Sequence, residues 1–557
     1  MVNKKSSSKK GDLGNSVWRG GRKIEIEKED DRFTIMPTDK KQLEIVKSLG
    51  VKEVTRVTDQ VFKVITTSGE RDPTMSTLRS DAFKITAHHA YRPKNTEGTV
   101  YYITDKIMLG FKPGTPDEEV SKLLQKYKLR LIKEYEELTK VYLVQVTSDT
   151  GENPIKTANE LAEEKIVKFA EPNMLNRFQP MYIPNDTLFK RQWHLSSKSA
   201  PQLNENASVD APAAWDTTQG KREIVIGIVD DGFDLTHPDF DVDGKIVSPK
   251  DYVDGDSNPF PVASHSDYHG TPCAGVALAE SNGKGVVGAA PGCAFMPVRF
   301  PLEADDDLIV EIFTEVSKNA DVISCSWGPP PVYSPLPTLI YNTFKKISKK
   351  GGKRKKGCVI CFAAGNYDAP VYDPANDNGV RWLDFSNNRI HKTTGPILNG
   401  YAAHPNVIAV AASTSLNRHA AYSNWGKEIS VCAPSNNFHP LDPRQFVPGR
   451  GIWTTDNGAF GQGFTPRSRF TGEFGGTSSA TPLVAGVAAL ILSANPDLPA
   501  SKVKEILQDT ADKIQDTTDD VILNVNRGKY NNQGHSDWFG YGKVNAAKAI
   551  EAAISAH

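Results

Sequence analysis

Cysteine is missing from the first 272 of 557 residues, and only six follow, at positions 273, 293, 325, 358, 361 and 432. A disulfide framework is therefore not expected, and reduced thiols in a cytoplasmic protein are. Cys358 and Cys361 have the spacing of a redox pair or half a zinc site. They stand in the apolar run GCVICFAAGN with no second pair nearby, so they read as buried strand thiols. An excess of one charge is also lacking: 66 basic against 67 acidic residues leave a formal net charge of −1. That gives no reason to expect nucleic acid or an anionic membrane as partner. No uninterrupted apolar run is long enough to suggest a membrane span. The opening stretch MVNKKSSSKKGDLGNSVWRG is basic and Ser-rich without an apolar core, so no secretory signal is expected. What is left is ordinary globular composition and length for about two to four domains.

Residues 1–20 read as a disordered basic tail. Residues 21–98 mix short alternating stretches (KIEIE, VFKVITT) with one helical patch near DKKQLEIVKSLG, which predicts a small α+β unit of unassigned role. In 99–175 the order is clearer. Strands DKIMLGFK, LRLIKEYEE, KVYLVQVT and KIVKFAEPN alternate with helices TPDEEVSKLLQKYK and NPIKTANELAEE as βαββαβ, the plan of small ferredoxin-like domains. A polar, Pro-containing linker is expected over 176–192. From 193 to 557, Val- and Ile-rich runs at 223–230, 320–328, 357–366, 405–413 and 428–434 alternate with helical stretches. This predicts an α/β fold, a doubly wound parallel sheet buried on both faces. SSATPLVAGVAALILSAN (478–495) is apolar nearly all round and should be a central buried helix. The run KKISKKGGKRKKG (345–357) reads as a solvated loop, with a basic docking patch as the alternative.

Three short segments point to chemistry. IVIGIVDDGFDLTHPDF ends an apolar strand at Asp230, where a carboxylate can orient a histidine; a plain Asp-Gly turn is the bland alternative. SDYHGTPCAGVALAE places His269 before a small-residue helical stretch. His265 four residues earlier suggests a metal pair, but no Glu stands in the HExxH arrangement. FTGEFGGTSSATP puts Ser478 at the start of the apolar helix, as a cap or as a nucleophile. A serine needs a base, and a histidine held by a carboxylate is one. The chain order Asp230, His269, Ser478 is that of subtilisin.

With Cys273, SWGP (326–329) and AAGN (363–366), these segments resemble the subtilisin-like serine proteases, or subtilases. DDG and SWGP resemble the kexin-type branch, and the absence of a signal resembles the calcium-dependent cytoplasmic type. The resemblance spans about residues 100–557 and implies a serine endopeptidase. It implies that Asn366 supplies an oxyanion donor, Ser479 being a bystander. Substrate-binding residues implied are Asp231, Ser326, Trp327, Gly328, Ala364 and Gly365. A preference for Arg or Lys before the cleaved bond is implied by the kexin-type likeness. Because Pro330 and Pro331 stand where that branch carries acids, the pocket acids are expected at Asp368 and Asp373. A calcium ion is implied at Asp186, Asp239 and Asn282. The βαββαβ segment resembles an inhibitory propeptide, so protein or peptide substrates and the chain's own propeptide are the expected partners. Self-cleavage is expected within about 174–192, with Arg177, Lys190 and Arg191 as candidates. Two other readings stay open: an acyl transferase that makes macrocycles, and an inactive protease-like binding scaffold.

Overall fold

The computed structural model describes residues 12–58, 60–94, 100–175, 182–301, 303–460 and 462–556. The chain divides into two compact units, Met1–Phe178 and Gln179–His557.

The first unit holds β1 (Ser16–Arg19), β2 (Arg22–Met36), α1 (Lys40–Ser48), β3 (Glu53–Arg56), β4 (Phe62–Ile65), α2 (Arg71–Arg79) and β5 (Thr86–Pro93). It continues through β6 (Tyr101–Phe111), α3 (Asp117–Lys126), β7 (Arg130–Glu134), β8 (Val141–Gln145), α4 (Pro154–Ala162) and β9 (Val167–Leu175). The βαββαβ plan expected for the second half is present, and β2 to β5 repeat it. The strand orders are β3-β4-β2-β5 and β7-β8-β6-β9. β5 pairs with the start of β6, so both runs belong to one nine-stranded sheet among the described residues. Residues 21–98 and 99–175 thus share one sheet.

Residues 12–20 are not a tail; residues 1–11 lie outside the described residues. β1 pairs with β2, placing Val17 opposite Ile24. Val17 is fully buried with Ile26, Tyr91, Ile103, Ile155 and Met174. Asn159 Nδ2 donates to the carbonyls of Leu13 (2.7 Å) and Ser16 (2.8 Å). One apolar side chain and two backbone anchors dock a segment whose composition reads as a tail.

The second unit contains α5 (Ala211–Trp215), β10 (Val225–Asp230), β11 (Lys250–Asp251), α6 (Gly270–Leu278), β12 (Ala294–Arg299), α7 (Asp306–Asn319) and β13 (Val322–Cys325). Then follow β14 (Tyr333–Ser334), α8 (Thr338–Lys350), β15 (Val359–Ala363), β16 (Tyr372–Asp373), β17 (Val380–Asp384), β18 (Arg389–Thr393), β19 (Ile397–Asn399) and β20 (Val407–Ser413). β21 (Val431–Pro434), β22 (Ile452–Thr455), β23 (Phe470–Phe474), α9 (Thr477–Ala494), α10 (Ala500–Asp509) and α11 (Ala546–Ser555) complete it. The main sheet is parallel throughout, in the order β11-β12-β10-β13-β15-β20-β21.

All five expected runs are strands of this sheet. β12 was not expected, because Pro297 interrupts AFMPVR as a strand signal. α9 is long and apolar enough to cross a membrane by composition, yet 94% of it is buried inside this unit. The first part of the lysine run belongs to α8 rather than to a loop.

Residues 182–192 are part of this unit, not a free linker. Tyr182 N–H donates to Asp216 Oδ1 (2.6 Å), Leu188 N–H to the Gly285 carbonyl (2.7 Å), and Gln192 Nε2 to the Val287 carbonyl (2.7 Å).

Ile155 joins β1 to both halves of the first sheet. Ile155→Ala should cost about 2–5 kcal/mol of that unit's stability. A lower urea midpoint is expected for the transition that reports it; an unchanged midpoint would mean that this cluster does not hold the halves together.

Candidate active site

The expected residues gather at the carboxyl ends of neighbouring parallel strands, where an open α/β sheet places its ligands. Asp230 ends β10, Ser326 follows β13, and Asn366 lies three residues beyond β15. His269 directly precedes α6, and Ser478 is the second residue of α9. Each apolar run makes a buried element, so the first polar residue past it falls on the rim of the sheet.

Asp230 is 2% exposed, and its Oδ1 accepts from His269 Nδ1 at 2.9 Å. Its Oδ2 is buried without a hydrogen-bond partner. Burial works against a charged His269. The neighbouring Cys273 sulfur and the Asp230 carboxylate work the other way and prevail, holding its pKa well above the ordinary range. Burial pushes the Cys273 thiol up to about 12, so it is uncharged at neutral pH. The contact between His269 Nδ1 and Asp230 Oδ1 is then what favours the charged ring.

The Ser478 hydroxyl donates to the Ser326 carbonyl at 3.3 Å. Cys273 Sγ lies 3.6 Å from both His269 Nδ1 and the Ser478 carbonyl oxygen, and Ser326 Oγ donates to that same carbonyl at 3.0 Å. The serine and the Asp–His pair therefore share one cluster. In this rotamer of Ser478 its hydroxyl faces Ser326 rather than the imidazole.

Asn366 Oδ1 accepts from Thr477 N–H and Thr477 Oγ1, both at 2.8 Å, which leaves its amide NH₂ facing the start of α9. Gly476 has φ +71°, and a Cβ there would come 3.0 Å from Asn366 Nδ2. Two asparagines missed at the level of sequence hold this arrangement. Asn436 Oδ1 accepts from Gly476 N–H (2.9 Å). Asn424 Oδ1 accepts from Tyr367 N–H (3.0 Å) and Ala369 N–H (3.2 Å), and its Nδ2 donates to the Ala364 carbonyl (3.0 Å). The polar run SNN directly after β21 was the available signal for Asn436.

Several residues expected to meet substrate are turned elsewhere. Asp231 is 6% exposed and caps α6, its oxygens accepting from the backbone N–H groups of Tyr268, His269 and Gly270. Burial and the Asp230 charge raise its pKa to about 7 against those amides. Asp368 has φ +51° and is buried beside Asp520, and burial with that second carboxylate pushes it up to about 9. Asp373 Oδ1 accepts from Ala375 and Asn376 N–H, both 3.0 Å, closing a turn. Asp231 and Asp368 are thus buried and engaged, whereas Asp373 is half-buried with one oxygen bound to backbone. The Trp327 indole also points inward, donating to the Val229 carbonyl (2.9 Å). Ala364 is fully buried, and the Gly365 N–H donates to Thr477 Oγ1 (3.3 Å). Gly328 is exposed at the rim.

Asp186, Asp239 and Asn282 do converge. Asn282 N–H donates to Asp186 Oδ1 (3.1 Å), and its Nδ2 to Asp239 Oδ1 (3.2 Å). Asp239 is fully buried with Oδ2 unpartnered, and burial raises its pKa to about 7. Burial raises Asp186 as well. Two buried carboxylates with an orphaned oxygen fit a hard cation. The Asn282 side-chain oxygen instead accepts from Lys284 N–H (2.9 Å), so it faces away from the two carboxylates.

The sheet and the buried Asp–His pair beside a helix-terminal serine define an α/β protein of the hydrolase type. Residues 221–542 match the subtilase family, more than half of the chain, and the chain belongs to that family. Residues 90–173 match the fervidolysin N-terminal prodomain. A calcium-dependent protease of Trichormus variabilis is 35% identical over 463 residues, 79% of this chain and 62% of the relative. The chain thus spans less than two thirds of that relative's length. A dibasic-processing endoprotease of Yarrowia lipolytica is 28% identical over 67% of this chain and 34% of its own length. The serine protease of Aeromonas sobria, solved with its chaperone, has the same fold at TM-score 0.53 and 20% identity, over 68% of each chain.

His269 should titrate above the ordinary value of about 6.5. In ¹⁵N-histidine spectra against pH, Asp230→Asn should bring that titration down. An unchanged titration in the variant would mean that Asp230 does not set it.

Proposed function

We propose that this chain is a calcium-dependent serine endopeptidase made as a self-processing zymogen. The observation that supports it most is the buried His269–Asp230 pair beside Ser478 at the N-terminus of α9. Rotation of Ser478 about its Cα–Cβ bond turns the hydroxyl from Ser326 towards the imidazole. His269 Nε2 then takes the proton as Ser478 Oγ attacks the substrate carbonyl, and Asp230 holds the Nδ1–H tautomer and steadies the imidazolium. Asn366 Nδ2 and the Ser478 backbone N–H face the oxyanion, helped by the dipole of α9. The imidazolium gives its proton to the leaving amine, and water releases the acyl group by the same steps in reverse. Activity is lost as pH falls through the raised pKa of His269, because the base must be neutral.

Asp186 and Asp239 would hold calcium, whose charge offsets the two buried carboxylates. That ties residues 182–192 to the loop around Asn282. The prodomain match supports the reading of an intramolecular inhibitor. Because Tyr182 to Gln192 are anchored in the second unit, cleavage falls between Leu175 and Tyr182, a segment outside the described residues that includes Arg177. Lys190 and Arg191 are held in a helical turn, with Arg191 over the Trp453 ring at 4.7 Å. A preference for Arg or Lys before the cleaved bond is supported by the dibasic-processing relative of Yarrowia lipolytica, while Asp231 and Asp368 are engaged elsewhere. A cytoplasmic location is favoured by six cysteines that are all free and buried.

An intact-mass time course of wild type and Ser478→Ala, each with calcium and with a chelator, tests this. Loss of about the first 175–181 residues is expected only from wild type and only with calcium. Equal processing of Ser478→Ala would overturn self-cleavage. Peptide products that gain no water would turn the reading towards acyl transfer.

A further inference from the structure

The hairpin that leads into α9 has no part in the steps above. β22 and β23 pair antiparallel, with Ile452 opposite Phe474. Thr454 and Thr455 end β22, Asp456 and Asn457 follow, and all four are fully buried. Buried polar side chains are costly unless they are hydrogen-bonded. Three of these four are spent on the segment that carries His269. Thr454 Oγ1 donates to the Pro272 carbonyl (2.8 Å), Thr455 Oγ1 to the Thr271 carbonyl (2.7 Å) and Asn457 Nδ2 to the Asp267 carbonyl (2.7 Å). The approach is so close that Gly275 of α6 has no room for a Cβ against the two threonine hydroxyls. Asp456 instead fixes the loop between the strands. Its carboxylate accepts from the N–H groups of Asn457 (2.9 Å), Phe464 (3.1 Å) and Thr465 (2.7 Å).

Phe464, so placed, meets the Tyr268 ring at 5.4 Å between centroids and the Phe474 ring at 5.2 Å. Phe474 ends β23, is 1% exposed, and meets the His269 ring at 5.6 Å with the planes 68° apart. Asp230 holds that imidazole through Nδ1 alone. A single hydrogen bond lets the ring swing about it. A steeply tilted phenyl ring packed against the imidazole removes that freedom. The same strand runs on through Gly475 and Gly476 to Ser478. The hairpin is thus bonded to the segment of the base and continuous with that of the nucleophile.

We infer that Phe474 is a positioning residue: it holds the His269 imidazole so that Nδ1 stays on Asp230 and Nε2 stays available to Ser478. Phe464 supports it from behind, and the β22–β23 hairpin braces base against nucleophile. The kinetic part of the test rests on the endopeptidase reading; the spectroscopic part does not.

Proton spectra of the full chain read the Nδ1–H of His269, which exchanges slowly with water while Asp230 holds it. In Phe474→Ala that signal should broaden through faster exchange. Peptide hydrolysis is followed on the calcium-incubated chain, with working sites counted by complete fluorophosphonate labelling. Phe474→Ala should lower kcat by about tenfold to a hundredfold, as a slightly misplaced base does, and leave KM nearly unchanged. Phe474→Leu should restore part of the loss, and Phe464→Ala should show a smaller change of the same kind. Phe344→Leu, a fully buried ring in a different core cluster, should change neither readout. A wild-type Nδ1–H signal in Phe474→Ala overturns the inference. So does an unchanged kcat, and so does a change confined to KM, which would put Phe474 in contact with substrate. If Phe474→Ala does not fold, Phe474→Leu and Phe464→Ala carry the same test. If the signal broadens as expected but no chain cuts peptide, the positioning stands and the endopeptidase reading fails.

Discussion

A carboxylate at the end of a strand buried on both faces is costly unless a partner meets it. Asp230 meets His269 at 2.9 Å, and one of its oxygens is still unpartnered. Much of the second unit follows from keeping that pair in place. Asp231 spends its carboxylate on three backbone amides at the start of α6, which fixes the helix that carries His269. Arg299, buried at the end of β12, joins Asp251, Asp254 and Asp267 and also donates to the Asp231 carbonyl at 3.2 Å. The second acid of the DDG run thus caps the helix that begins beside the histidine held by the first.

The serine side is built differently, from glycine and amide groups. Gly475 has no room for a Cβ because Asn436 fills that space, and Gly476 holds a positive φ before α9. Asn366 and Asn436 bind backbone groups of this turn, and Asn424 binds those of the loop that carries Asn366. They hold it without adding charge. The helix itself is rigid because it is apolar all round and sits inside the unit, not because of its intrinsic propensity.

How far the sequence carried the account differs by residue. The positions of Asp230 and Asn366 were legible because each closes an apolar run, and those of His269 and Ser478 because each stands at the start of one. Five of the seven strands of the main sheet were legible for the same reason; the exceptions are β12, where Pro297 breaks the pattern, and β11, which is only two residues long. The direction of a loop carboxylate was not legible. Asp368 and Asp373 stand five residues apart after Asn366, and only the left-handed backbone at Asp368 turns its side chain inward to Asp520. The repeat of βαββαβ over β2 to β5 was hidden because β3 and β4 are only four residues long and β2 is largely charged, so alternation alone did not fix their pairing. Val17 shows the limit of composition most simply: a basic, Ser-rich segment docks through one side chain.

The central claim is that Ser478 is made nucleophilic by His269, and His269 by Asp230. The most direct measurement is fluorophosphonate labelling of the calcium-incubated chain, followed by peptide mapping, in wild type and in His269→Ala. The account predicts one label, on Ser478, that is lost in the variant. A label on another serine, or one that persists without the imidazole, would contradict it.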